Sequence, residues 1–128
     1  MILDTSILVS FYDLDDSNHQ AAIELFKKHE QSRLFLSEYI IGETITVLLY
    51  KKGLDSAKKF LEIIKETESF RIITISENDF YSILDIFKNQ KHQLSFIDAS
   101  LVYFSKVLNM NVLTFDKNLL KVLNPYNY

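Results

Sequence analysis

Four short apolar runs punctuate the chain: Met1-Ile2-Leu3, Arg33-Leu34-Phe35-Leu36, Phe70-Arg71-Ile72-Ile73-Thr74-Ile75 and Asn111-Val112-Leu113-Thr114-Phe115. They are rich in β-branched and large apolar residues and read as buried strands. Between them the apolar positions recur every three or four residues, the period of a helix that buries one face. Ile7, Phe11 and Leu14 share such a face, which predicts a first helix. A second opens at Ser17, with Gln20 at capping-box spacing and Ile23 and Phe26 behind it. Residues 38–51 form a third, ending near Lys51-Lys52-Gly53, where glycine supplies the backbone freedom of a C-cap and the lysines suit the helix dipole. Asp55 caps a fourth helix carrying Ala57, Phe60, Leu61 and Ile64. Ser76 with Asp79 caps a fifth carrying Phe80, Ile83, Leu84 and Phe87, a sixth runs from about Ser95 to Asn109, and a short seventh follows Phe115.

Strands that alternate with helices require crossover connections, and hence a parallel sheet covered by helices on both faces. The expectation is an α/β fold, a three-layer sandwich of about seven helices in one domain. The stretch from Asn124 to Tyr128 either adds a short edge strand or frays. A length of 128 residues suits a single core, and the presence of only two Gly and one Pro excludes an all-β protein built on many tight turns.

Charge and composition narrow the chemistry. Fourteen basic against 17 acidic side chains leave a formal charge of -3, so no global basic field holds nucleic acid and any such contact must be local. The absence of Cys removes disulfides, thiolate metal sites and thiol nucleophiles. Asp98, Ser100, Ser105, Glu43 and Thr46 interrupt the apolar runs before any could span a bilayer, and Asp4 stands where a signal peptide would be basic. The reading is a soluble cytoplasmic protein without membrane association.

Ligands of an open parallel sheet bind beyond the carboxyl ends of its strands. Asp4 follows the first strand and Asp116 the last; either could instead cap the next helix. Glu43 lies inside the third helix without a lysine at salt-bridge spacing, so it is solvated, partnered from elsewhere or bound to a cation. Asp98 opens the sixth helix, which is apolar almost all round, and stands three residues after Ser95 like a member of a capping box. One cleft could collect all four acids. Crowded carboxylates repel and raise one another's pKa, so such a cluster points to a hard divalent cation, magnesium or manganese, of the kind that activates water for phosphodiester cleavage.

The ordered set Ile2-Leu3-Asp4-Thr5-Ser6, Glu43, Leu94-Ser95-Phe96-Ile97-Asp98-Ala99 and Thr114-Phe115-Asp116 resembles the PIN-domain ribonucleases, most nearly the VapC-like toxins of VapBC-type toxin–antitoxin modules. The resemblance spans residues 1–128 as one PIN-like domain. It implies strand order 3-2-1-4 with a fifth edge strand at the tail, and cleavage of RNA dependent on Mg2+ or Mn2+. Asp4, Glu43, Asp98 and Asp116 would be the catalytic, metal-binding acids; Ser6 occupies the family's Ser/Thr place, and Thr114 supports the acids or contacts phosphate. Implied partners are an RNA substrate, a cognate antitoxin and a second copy of the chain, the last also suggested by an aromatic content of 13%. Two features depart from the family: an apolar Leu119 or Leu120 where an aromatic is usual, and only Arg33 and Arg71 as arginines, which leaves RNA contact to lysines such as Lys51, Lys52 and Lys117.

Other readings are weaker. Asp13, Asp15, Ser17 and Glu24 match calcium-loop positions, but Asn18 replaces the required glycine. The three His lack metal spacing, and no glycine-rich phosphate loop occurs. Ser6 stands where an aspartyl phosphatase of the HAD type needs a second Asp. A receiver-like signalling domain wants its acceptor Asp after the third strand, where Ile75-Ser76-Glu77 stands. The non-enzyme alternatives are that receiver-like module and a metal-free PIN-like binding module.

Overall fold

The computed structural model describes residues 1–124; the tail residues expected to form a fifth edge strand or fray lie almost wholly outside them. Four strands, β1 (Ile2–Leu3), β2 (Leu34–Ser37), β3 (Phe70–Ile73) and β4 (Val112–Leu113), form one parallel sheet in the order β3-β2-β1-β4. Seven helices connect and follow them: α1 (Thr5–Tyr12), α2 (His19–Lys28), α3 (Glu38–Lys52), α4 (Leu54–Glu66), α5 (Glu77–Asn89), α6 (Phe96–Leu108) and α7 (Lys117–Leu123).

Successive strand residues point to opposite faces. Ile2 and Leu3 are both completely buried, so β1 at the centre is covered on both sides, as its unbroken apolar run required. Burial of each such side chain contributes about 1.5–3 kcal/mol. The core continues through Ile7, Leu8, Leu36, Ile40, Leu48, Phe60, Ile83, Leu101 and Leu119, and α2 adds the buried Ala22 and packs the partly buried Leu25 and Phe26 against it. β3 lies at the edge, where Arg71 and Ile72 are exposed.

Local chemistry departs from the sequence expectations in four places. Leu14 lies beyond the end of α1 and is exposed, because the helix stops at Asp13. Ser17 does not cap α2; Asn18 occupies that place without a side-chain cap bond, and the carboxylate of Asp16 accepts the Asn18 N–H at 2.8 Å instead. Asp55 falls in the first turn of α4 rather than capping it. Gly53 is both the end of α3 and the start of α4: its N–H donates to the Leu49 carbonyl at 3.0 Å, and its own carbonyl accepts from Ala57 N–H at 3.3 Å. Its φ of 95° strains any residue with a Cβ, so glycine is required there. Finally, β3 stops at Ile73, because the Ile75 N–H leaves the sheet to donate to Glu38 Oε1 at 2.6 Å.

Candidate active-site cleft

The carboxyl ends of β1 and β4 are adjacent, since Leu3 pairs with Leu113. The residues that follow each strand therefore begin side by side. Asp4 is buried, and its Oδ2 accepts two hydroxyl hydrogen bonds, from Ser6 at 2.8 Å and from Thr114 at 2.6 Å. Those hydroxyls accept in turn: Ser6 Oγ from the Phe115 N–H at 3.0 Å, and Thr114 Oγ1 from the Asp116 N–H at 2.9 Å. Thr114 thus holds Asp4 from a buried position. Asp116 caps α7, its Oδ1 accepting from Asn118 N–H at 2.8 Å and Leu119 N–H at 3.2 Å.

Asp98 does form the capping box with Ser95. Its N–H donates to Ser95 Oγ at 3.0 Å, while its Oδ2 accepts from Ser95 N–H at 3.2 Å. In each of these three acids one carboxylate oxygen is bound to the protein, and the other makes no hydrogen bond among the described residues. The cap and the candidate function are compatible, because a carboxylate has two oxygens.

All four expected acids line one cleft of about 340 Å³, together with Thr5, Ser6, Val9, Ser10, Asp16, Asn18, Val47 and Lys51. Glu43 enters from α3 and is partly buried. Its carboxyl is pushed above the ordinary glutamate range, first by burial and then by the negative charges of Asp4 and Asp98. The nearby Thr5 hydroxyl opposes that rise; it is buried and meets no full hydrogen-bond geometry. Asp98 is raised as well, again by burial first, with the charges of Asp4 and Asp116 adding and the bonds to Ser95 opposing. Among the described residues no group of three or more such side chains is close enough to hold a metal ion as it stands, so the arrangement is an open acidic cleft rather than a closed coordination site.

Sequence reasoning missed Asp16. It belongs to an acidic run with Asp13 and Asp15, and only the fold separates their roles. Asp16 faces the cleft, held by the buried Ser10 hydroxyl at 3.0 Å, whereas Asp13 and Asp15 each bind Lys52 Nζ at 2.9 Å. The Lys52 partnership holds the Asp13 carboxyl below its usual range. These contacts occupy two of the candidate calcium-loop acids, Asp13 and Asp15, and engage Lys52, one of the lysines expected to contact RNA. Arg71 is likewise engaged by the carbonyls of Glu68 and Phe70.

The chain belongs to the PIN domain family, whose sequence pattern it matches over residues 1–123. It is similar to the VapC ribonuclease of Archaeoglobus fulgidus, with 29% identity over 120 residues that cover 90% of this chain and 76% of that protein. Mycobacterium tuberculosis VapC20, a toxin that cleaves the sarcin–ricin loop, shares the fold with a TM-score of 0.86 at 20% identity, over 94% of this chain and 93% of that one. FitAcB from Neisseria gonorrhoeae superposes with a TM-score of 0.70 at 14% identity, over 99% of each chain. PAE2754 from Pyrobaculum aerophilum gives 0.66 at 20% identity, over 96% of this chain and 78% of that one. Membership of this family replaces the receiver-like reading. Among the described residues no helix is long and apolar enough to cross a membrane.

Proposed function

We propose that this protein is an endoribonuclease, the toxin of a toxin–antitoxin pair, and that Asp4, Glu43, Asp98 and Asp116 form its active site. The observation that carries the reading is the convergence on one cleft of acids from two strand ends and two helices, in a chain related to a VapC ribonuclease. The donor set consists of carboxylate oxygens, which suit Mg2+ or Mn2+, and the uncommitted oxygens of Asp4, Asp98 and Asp116 are the natural ligands beside Glu43. A cation bound there supplies charge neutralisation at the scissile phosphate and activation of water. The chain's own part is preorganisation. Ser6 and Thr114 orient Asp4, Ser95 orients Asp98, and the α7 amides orient Asp116, so one oxygen of each of these carboxylates is held before RNA arrives.

The test is cleavage of a panel of structured RNAs by the purified protein in magnesium, in manganese and in EDTA. Cleavage with either metal and none in EDTA is expected; cleavage that persists in EDTA overturns the metal assignment. The same test separates this reading from that of a PIN-like module that binds without cutting. Lack of cleavage under every condition, with no metal bound in calorimetry, selects the latter.

Two partners extend the proposal. A cognate antitoxin covers the cleft, and a second copy of the chain covers part of the apolar surface of α5, where Phe80, Leu84 and Phe87 are 38%, 37% and 43% exposed. A single-chain mass in light scattering at micromolar concentration removes the dimer.

A further inference from the structure

An acidic cleft repels a polyanion, so RNA needs cations on both sides of it. Lys51 is a basic side chain that lines the cleft. It follows Glu43 by eight residues on α3, with Val47 midway, so these three share the helix face turned to the cleft. Its neighbour Lys52 is clamped by Asp13 and Asp15, which fixes this end of α3, while Lys51 forms no such ion pair among the described residues. On the far side, Asp116 receives the Asn118 N–H, and Asn118 lines a second cavity of about 310 Å³ with His92, Gln93, Leu94 and Lys121. None of these five is acidic, and four carry polar side chains that can donate hydrogen bonds. The wall carrying His92 and Gln93 is braced, because the Gln90 side chain accepts from Leu94 N–H at 2.8 Å and donates to the Leu94 carbonyl at 3.0 Å.

We propose that the RNA strand runs across the cleft from Lys51 on α3 to the His92–Lys121 cavity beside α7, with a backbone phosphate held at each end and the bond to be cut lying between them over Asp4. This track rests on the ribonuclease reading but is testable apart from it. Lys contributes a point charge, so each end affects affinity and salt dependence more than sequence preference.

The experiment measures fluorescence anisotropy of a labelled single-stranded RNA of mixed sequence. The protein carries Asp98→Asn so that the probe survives, and Lys51→Ala, the pair His92→Ala with Lys121→Ala, or both are added. Each end is expected to weaken binding about 3- to 10-fold and to lower the slope of log affinity against log salt by about 1 for each phosphate no longer held, the two ends acting additively. Lys65→Ala on α4, away from both cavities, is the control; its affinity should stay within twofold. In the otherwise unaltered protein the same lysine changes should raise KM more than they lower kcat. Unchanged affinity and slope at either end overturn the track, as does an equal loss in the Lys65 control. If the unaltered protein cuts no RNA while the two ends still lose affinity and slope, the track stands and the ribonuclease reading falls.

Discussion

Two helices of this protein begin with the same device. At α5, Ser76 and Asp79 exchange hydrogen bonds of 3.0 Å in each direction; at α6, Ser95 and Asp98 do the same at 3.0 and 3.2 Å. The surroundings differ. Asp79 gives its remaining oxygen to the Tyr103 hydroxyl at 2.7 Å, and that bond, aided by the Ser76 N–H, holds its carboxyl below the usual range. Asp98 has no such partner among the described residues; burial and the charges of Asp4 and Asp116 push it up. The same spacing produces a satisfied structural acid in one place and a crowded, half-free acid in the other. The neighbours decide the role.

The largest expected break in the symmetry is catalytic. Asp98→Asn should lower RNA cleavage by about 10³-fold or more, a scale typical of removing a transition-state electrostatic contact, whereas Asp79→Asn should leave cleavage within about twofold; initial rates on one RNA compare them. Next come the serines. Ser76→Ala and Ser95→Ala should each cost about 1 kcal/mol in urea unfolding, but only Ser95→Ala should also slow cleavage, because losing the hydroxyl that accepts the Asp98 N–H loosens the first turn of α6, from which Asp98 enters the cleft. Equal cleavage by both variants would show that the α6 cap does not position the acid.

A smaller effect separates the two acids by pH. With Asp79 depressed in the folded state, its contribution is present above the ordinary Asp range and is lost as pH falls through its folded pKa. Asp98 and Glu43 are raised, so the folded state holds their protons longer than the unfolded chain does, and their cost appears as pH rises through the folded values. Asp79→Asn should therefore destabilise at neutral pH and lose that effect in acid. Glu43→Gln should stabilise at neutral pH and lose its advantage below the ordinary Glu range. Thermal melts across pH 3–8, a span of about one unit below the Asp reference to well above the Glu reference, check both signs. Smallest is Tyr103→Phe, which should cost about 0.5 kcal/mol and move Asp79 back toward its ordinary pKa by NMR titration.

The two boxes also mark what could be read without a structure. Both were legible, as were the four strands, because Ser, Asp and apolar runs act through local backbone chemistry. Ser17 looked equally good as a cap and failed, because Asp16 took the Asn18 N–H and the chain turned differently. The Lys52 clamp was invisible because it joins α3 to residues 37 and more positions away. Asp16 escaped for a different reason: its place in the cleft is fixed by Ser10, only six residues away, but nothing in an acidic run distinguishes its members. Asp4, Asp98 and Asp116 were legible because strand ends and helix starts are positions the sequence itself marks; Glu43 was legible because a carboxylate stood there without a partner.

The bond from Thr114 to Asp4 joins residues 110 apart. A chain made from its amino end carries Asp4, Glu43 and Asp98 long before Thr114 and Asp116 exist, and β1 then lacks its β4 neighbour. Until β4 and the start of α7 have left the ribosome, Asp4 has no Thr114 hydroxyl to fix it and the cleft has no fourth wall. The order of elements along the chain thus makes this cleft one of the last features of the fold to be completed.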